Sequence, residues 1–218
     1  MLLAPLVYDG GLQRRFTLGD TLAGSEQPIP ATDLTNTTLV YTPAMLVNST
    51  VYVRNPAGVS TDTFPSADIL IAALSGGLGS IGITPGLSFR WRVINLSANL
   101  LTGAVNANTG ATMIRGNVLA STTKDFLIQI TNGTPLLSAT NITTVNASAV
   151  TTGWTTAQLA AISVGQIVTN AVANLQGTTI ISINIVAGSV TFSGTANASA
   201  AGNTITVSPT YTITGLAA

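Results

Sequence analysis

The chain has 218 residues, of which seven are basic and seven acidic, and it contains no histidine and no cysteine. These absences exclude disulfides, thiolate zinc sites, a cysteine nucleophile and the usual base of a serine or cysteine triad. The basic residues are scattered and form no phosphate-binding cluster, which argues against binding of nucleic acid. The sequence has no run of about 18 apolar residues, so it predicts no membrane-spanning helix.

Residues 1–33 are predicted to form an extended N-terminal arm. Glycine-rich turns and the prolines Pro28 and Pro30 disfavour a helix there. Charged residues of this segment, including Arg14 and Arg15, suit polar docking to a neighbouring subunit. A frayed terminus or an edge strand is an equally open alternative. No basic and apolar signal-peptide pattern occurs, so we expect assembly in a cytoplasm.

Residues 34–145 are predicted to form a β-sandwich or jelly-roll-like domain with one short helix. β-rich segments at residues 37–41 and 49–54 begin it. The helix is expected at residues 66–74, where Ser66 can cap and Asp68 lies in the first turn. Its buried face is expected to combine four apolar side chains, namely Ile69, Leu70, Ala73 and Leu74.

The clearest strand in the sequence covers residues 87–93. Its apolar side chains alternate with polar ones, and the apolar set is Leu87, Phe89, Trp91 and Val93. Trp91 is therefore expected in the core. Arg90 and Arg92 face the other way, where we expect either a polar sheet face or an arginine-mediated protein contact rather than a nucleic-acid platform. Short strands at residues 100–105, 111–114 and 126–130 complete the predicted domain.

Residues 146–218 are predicted to form a smaller β domain. No charged residue follows Asp125, so this region has no evident general acid, general base or strong metal ligand. Residues 154–162 fit either a short helix or a loop. Strands are expected at residues 165–169, 178–185, 189–192 and 204–214. We expect such an uncharged surface to be covered by other protein.

The few carboxylates are the remaining candidates for catalytic groups. A glycosidase needs two carboxylates facing one substrate, and Asp62 with Asp125 is the candidate pair, although composition and spacing give it no support. Local roles explain both residues as well, because Asp62 is expected in a turn and Asp125 beside Lys124. We therefore expect no catalytic residues, no cofactor and no metal.

Asn-x-Ser/Thr triplets are also frequent in the chain. A composition rich in asparagine, serine and threonine accounts for most of them, and no secretory signal supports glycosylation. They occur at Asn36, Asn48, Asn95, Asn132, Asn141, Asn146 and Asn197.

Four segments in the first half carry a resemblance. They are residues 54–74, the strand Pro85-Gly-Leu-Ser-Phe-Arg-Trp-Arg-Val-Ile-Asn95, the turn at 108–116 and the strand at 124–132. In this order they resemble a β-rich module of virion proteins from tailed bacteriophages and some large DNA viruses. Segments at 164–168, 176–183 and 189–193 are similar to small β modules of phage head and fibre proteins.

The resemblance implies a non-enzymatic virion structural protein that decorates or cements a bacteriophage capsid at junctions between capsid subunits. Expected partners are the major capsid protein or other virion proteins, and we expect a homo-oligomer, preferably a trimer. The alternative is a tail-fibre or host-recognition protein that binds a receptor. A carbohydrate-active enzyme domain is the third hypothesis, against which the missing histidine and scarce charge argue.

Overall fold

A computed structural model describes residues 31–33, 38–47, 51–75, 83–170 and 175–216. The chain is mostly β, as predicted. Three helices occur in the described residues, α1 (Pro43–Val47), α2 (Ala67–Leu74) and α3 (Thr156–Ala160). The described strands are, in chain order, β1 (Ala31–Asp33), β2 (Val51–Arg54), β3 (Ser60–Thr63), β4 (Ser88–Asn95), β5 (Leu101–Ala104), β6 (Ala111–Ile114), β7 (Asn117–Val118), β8 (Thr122–Asn132), β9 (Leu137–Thr144), β10 (Val150–Thr152), β11 (Ile167–Asn170), β12 (Ile180–Asn184), β13 (Ser189–Phe192), β14 (Ala200–Ser208) and β15 (Thr210–Gly215).

A mixed six-stranded sheet dominates the first part of the chain, with the order β1-β2-β4-β8-β15-β6. Its centre is antiparallel, since β8 pairs with β4 on one side and with β15 on the other. Parallel pairs lie towards its edges, where β2 joins β4 and β6 joins β15. We call this the large sheet.

One face of the large sheet packs on the first hydrophobic core. The three-stranded sheet β3-β5-β7 and the helices α1 and α2 contribute to the same core. At its centre Trp91 has no exposed surface, and its ring lies 4.8 Å from that of Tyr41 and 5.5 Å from that of Phe64. Burial of these large rings supplies much of the apolar area that stabilises this half.

A second six-stranded sheet, with the order β11-β14-β9-β10-β13-β12, surrounds a separate hydrophobic core. Residues at the start of β12 and just before it also form hydrogen bonds with β11 and the residues before it. The amide of Gly165 donates to the Ile180 carbonyl, Ile180 donates to Gln166, and Val168 donates to Thr178. These bonds, with the isolated bridge between Ile167 and Thr179, hold residues 178–180 against residues 165–168. The chain at the two ends of the order is therefore bonded, and we call this element the closed sheet.

The two sheets exchange strands along the sequence. β9 precedes residue 145 yet pairs in the closed sheet, whereas the last described strand, β15, returns to the large sheet. The reversal occurs at Pro209, which has no amide hydrogen to continue β14. Here Gly110, at φ +77°, lies so close that a Cβ would collide with the Pro209 carbonyl. The domain boundary at residue 145 stays a prediction.

The expectation of one helix in the first half was wrong. α2 is confirmed, with Ser66 at its N-cap position and Asp68 in its first turn, but α1 was missed. The signal for α1 was Thr42 followed by Pro43, because threonine accepts a bond from the first turn and proline suits the first helical position. Of the residues expected as a strand at 37–41, Val40 forms only an isolated bridge to Thr63.

The predicted buried face of α2 is displaced by part of a turn. Its buried residues are Ala67, Leu70 and Ile71, whereas Ile69 is 51% exposed. The pattern placed Ile69 inward because four apolar residues run together at this point, and such a run fits more than one helical face.

α3 resolves the open alternative at residues 154–162 as a short helix, with a capping box between Thr155 and Gln158.

Candidate protein interface

The face of the large sheet that points away from the core carries the two arginines singled out from the sequence. Along β4, Trp91 and Val93 are buried, whereas Arg90 and Arg92 are exposed. The alternation predicted for this strand is therefore confirmed at these positions. Leu87 departs from it, because it precedes β4 and is exposed.

The strand register places Arg92 opposite Asp125 of β8. Their side chains form an ion pair, in which the Nη2 of Arg92 donates to the Oδ2 of Asp125 at 2.9 Å. This hydrogen bond holds the pKa of Asp125 below its ordinary value, although partial burial acts in the opposite direction. Asp125 thus pairs across the strands rather than with its sequence neighbour Lys124, whose Nζ donates to the Asn117 carbonyl.

Arg90 lies next to this pair without an ion-pair partner of its own. In the register it stands beside Leu127, and none of the described residues forms a hydrogen bond or salt bridge with its guanidinium. Arginine presents five donors in a planar fork that matches carboxylates and carbonyl groups. Arg90 can therefore supply directed hydrogen bonds to a partner without first breaking a bond within the chain.

The rest of this face is uncharged. We call the whole face the outer sheet face, and among the described residues the register assigns to it Ser88, Arg90, Arg92, Thr112, Ile114, Asp125, Leu127, Gln129, Thr212 and Thr214. Apart from the two arginines and Asp125, the side chains of these residues are hydroxyl, amide or apolar groups. The two arginines and Asp125 are therefore the charged groups among them. A face of this composition suits contact with another protein better than a strongly charged ligand.

Arg14 and Arg15, the other predicted interface residues, lie outside the described residues. The last three residues of the predicted arm form β1, which pairs in parallel with β2.

A second constellation was missed from the sequence and is fully buried between the two sheets of the first half. Arg54 of β2 donates two hydrogen bonds to the carboxylate of Asp62 of β3, from Nε at 2.7 Å and from Nη2 at 2.8 Å. The exposed fractions of these side chains are 0% and 1%. Asp62 was expected in a turn, and this expectation was wrong because its strand faces the core.

Three further donors complete the shell of the Asp62 carboxylate. They are the hydroxyl of Tyr41 at 2.7 Å, the hydroxyl of Ser60 at 2.9 Å and the amide of Leu39 at 3.2 Å. Burial, with the neighbouring Asp62 charge and its hydrogen bond, raises the pKa of Tyr41 well above its ordinary value. We call Tyr41, Arg54, Ser60 and Asp62 the buried polar network. It joins β2, β3 and the segment before α1.

The network has no room for a substrate. Beside it lies a cavity of about 10 Å³, lined by residues that include Tyr41, Asp62, Phe64 and Gly103. This is about the volume needed for one water molecule. Asp62 and Asp125, the candidate glycosidase pair, lie on opposite sides of the large sheet, Asp62 on β3 in the core and Asp125 on the outer face of β8, and each is bound by its own arginine.

The described residues carry neither a cluster of metal-ligating side chains nor a membrane-spanning helix. Within them, no group of three or more histidine, cysteine, aspartate or glutamate residues could hold a metal ion. None of the described helices is long and apolar enough to cross a membrane. No protein-family model matches the chain, and no curated protein or solved structure is significantly similar to it.

Proposed function

We propose that the protein is a non-enzymatic structural protein of a tailed-bacteriophage virion, assembled in the host cytoplasm, that decorates or cements the capsid. The observation that carries the proposal is the uncharged exterior of the closed sheet. Its sequence has no charged side chain, yet it exposes Val164, Ile181, Ile185 and Val186. Isolated soluble domains rely on surface charge for solubility, so this exterior suits a protein that works within an assembly.

The outer sheet face supplies the proposed contact with the shell. Arg90 forms no hydrogen bond or salt bridge with the described residues, and interface arginines are frequent energetic anchors. The expected partner is the major capsid protein or another virion protein that presents carboxylate or carbonyl groups. Binding at junctions between shell subunits would repeat a modest contact over the particle, and multivalent attachment makes weak contacts add up.

The proposal also includes the type of β-sandwich, the N-terminal arm and the oligomeric state. We infer a jelly-roll-like sandwich in the first half and an N-terminal arm that reaches a neighbouring subunit through Arg14 and Arg15. The free protein is proposed to be a homo-oligomer, preferably a trimer. The uncharged exterior of the closed sheet would associate non-specifically unless another subunit covered it.

Removing residues 1–30, which leaves β1 intact, should abolish attachment to the particle and change the melting temperature little. The arm is expected to dock outside its own subunit, so the core loses no contacts. Sedimentation should give the same oligomer, expected to be a trimer, with and without the arm. A stable monomer at micromolar concentration would contradict the oligomer, and a large loss of stability with attachment retained would contradict the arm.

Replacing Arg90 and Arg92 together with alanine should reduce the amount of protein on purified particles about tenfold or more, since each anchor contributes more than about 1 kcal/mol. The stability of the free protein should change by less than about 1 kcal/mol, because the Arg92–Asp125 pair is exposed. Particle occupancy is measured by quantitative mass spectrometry, and stability by urea unfolding.

Arg115→Ala is the matched control for that double variant. Arg115 is exposed in the turn after β6 and outside the outer sheet face, so its removal tests general loss of positive charge. Occupancy should stay near the wild-type value. If both variants lose occupancy equally, long-range charge rather than the outer sheet face controls attachment.

A further inference from the structure

Three loops of the first half meet at one end of its two sheets. They are residues 55–59, 96–100 and 119–121, which we call the loop tip. Backbone hydrogen bonds join their surroundings: the amide of Leu96 donates to the Arg54 carbonyl, Ser60 donates to Leu100, and Ser121 donates to Ser97. The loops therefore form one surface although they are distant in sequence.

Two buried side chains, Asn95 and Ser97, fix the geometry of the loop tip. The Nδ2 of Asn95 donates to the carbonyls of Asn99 at 2.9 Å and Leu119 at 3.0 Å. The hydroxyl of Ser97 donates to the Pro56 carbonyl at 2.7 Å. Each side chain thus bonds a different neighbouring loop, and the backbone is held before any partner arrives.

This arrangement explains one of the Asn-x-Ser/Thr triplets. In Asn95-Leu96-Ser97 both polar side chains are buried and hydrogen-bonded, so the asparagine is not accessible to glycosylation. Leu96 between them points to solvent instead. The local sequence therefore has its polar groups inside and its apolar group outside, the reverse of an ordinary surface loop.

The other two loops also expose apolar side chains, beside the exposed polar residues Asn55 and Ser121. Val59 is 70% exposed, Leu96 55% and Leu119 63%, and Ala57, Ala98 and Ala120 are exposed beside them. None of the residues in the loop tip is charged or aromatic. Surface loops normally carry polar residues, and rigid loops on a scaffold are frequent binding sites.

We propose that the loop tip docks into an uncharged apolar depression on the shell protein. The chemistry of the partner follows from complementarity, because a charged partner group would lose its hydration against Val59, Leu96 and Leu119 without gaining a hydrogen bond or counter-charge from their side chains. This inference rests on the proposed function and adds a second contact to the outer sheet face.

A second copy of the chain is a poorer occupant. A stable dimer interface uses roughly 20–30 residues on each partner, and the three loops supply far fewer. A contact of this size suits a repetitive partner, where many copies act together. A lipid surface is also disfavoured, since membrane-binding segments combine apolar residues with lysine, arginine or tryptophan.

Photo-crosslinking tests the partner directly. A photoreactive amino acid replaces Leu96 or Leu119 in the full chain, and in the control it replaces Ile69, an exposed apolar residue of α2. Crosslinking is done in producing cells and on purified particles. Both tip positions should crosslink to the shell protein, at an uncharged apolar segment identified by peptide sequencing, and Ile69 should not. Crosslinks to the chain itself, to lipid or to nothing overturn the proposal.

A double variant, Leu96→Ser with Leu119→Ser, provides the second test. Particle occupancy should fall about tenfold or more, with an unchanged urea midpoint since both side chains are exposed. Normal occupancy of the variant overturns the loop tip but leaves the proposed function intact. Absence of the wild-type protein from particles overturns the proposed function, and the crosslinks in producing cells then still decide whether the loop tip binds a protein.

Discussion

Replacing Trp91 with alanine should lower the free energy of unfolding by about 3–5 kcal/mol. Trp91 is completely buried and lies between Tyr41, Phe64 and Phe126. Its indole nitrogen donates to the Met45 carbonyl at 3.3 Å, which links β4 to α1. Alanine would leave a large cavity among aromatic rings that cannot all collapse into it.

Urea unfolding of Trp91→Ala and Arg90→Ala measures this effect against a matched control on the same strand. Arg90 is the preceding residue but faces solvent, so its truncation should cost less than about 1 kcal/mol. If Arg90→Ala proved the more destabilising variant, the assignment of the two faces of β4 would be wrong, and the outer sheet face with it.

Replacing Asp62 with asparagine should lower the free energy of unfolding by about 3–5 kcal/mol, because the buried guanidinium of Arg54 would lose the carboxylate that accepts two of its hydrogen bonds. The Asp62 carboxylate accepts both guanidinium bonds and three further hydrogen bonds. Asparagine keeps the shape of the side chain, removes the negative charge and replaces one acceptor oxygen with an amide group that can only donate. The loss therefore reports electrostatics rather than packing.

The chain provides its own control, since Asp125 also pairs with an arginine but at the surface. Asp125→Asn should cost less than about 1 kcal/mol. A double variant, Arg54→Met with Asp62→Leu, should be more stable than Asp62→Asn because no buried charge is left. Equal losses for Asp62→Asn and Asp125→Asn in urea unfolding would contradict the role assigned to burial.

Alternation along single strands was predictable from the sequence. In β4 this alternation placed Trp91 inside and Arg90 and Arg92 outside. An eight-residue strand with one solvent-exposed face shows a clear two-residue period of apolar and polar side chains. The same reasoning could have found the buried polar network. Arg54 follows the buried Tyr52 at a spacing of two, so an inward charge required an opposite partner.

Strand partners could not be predicted in the same way. The pairing of Arg92 with Asp125, the return of β15 to the large sheet and the closure between β11 and β12 all join residues distant in sequence. A single sequence carries no signal for such non-local registers. The loop tip shows the same limit, because Val59, Leu96 and Leu119 are ordinary residues until the fold brings their loops together.

Cryo-electron microscopy of particles produced with this protein tests the central proposal most directly. We expect density for the chain on the outside of the shell, at junctions between shell subunits. The outer sheet face, the loop tip or both should lie against the shell. Density confined to the ends of tail fibres, or particles without the chain, would contradict a role in capsid decoration.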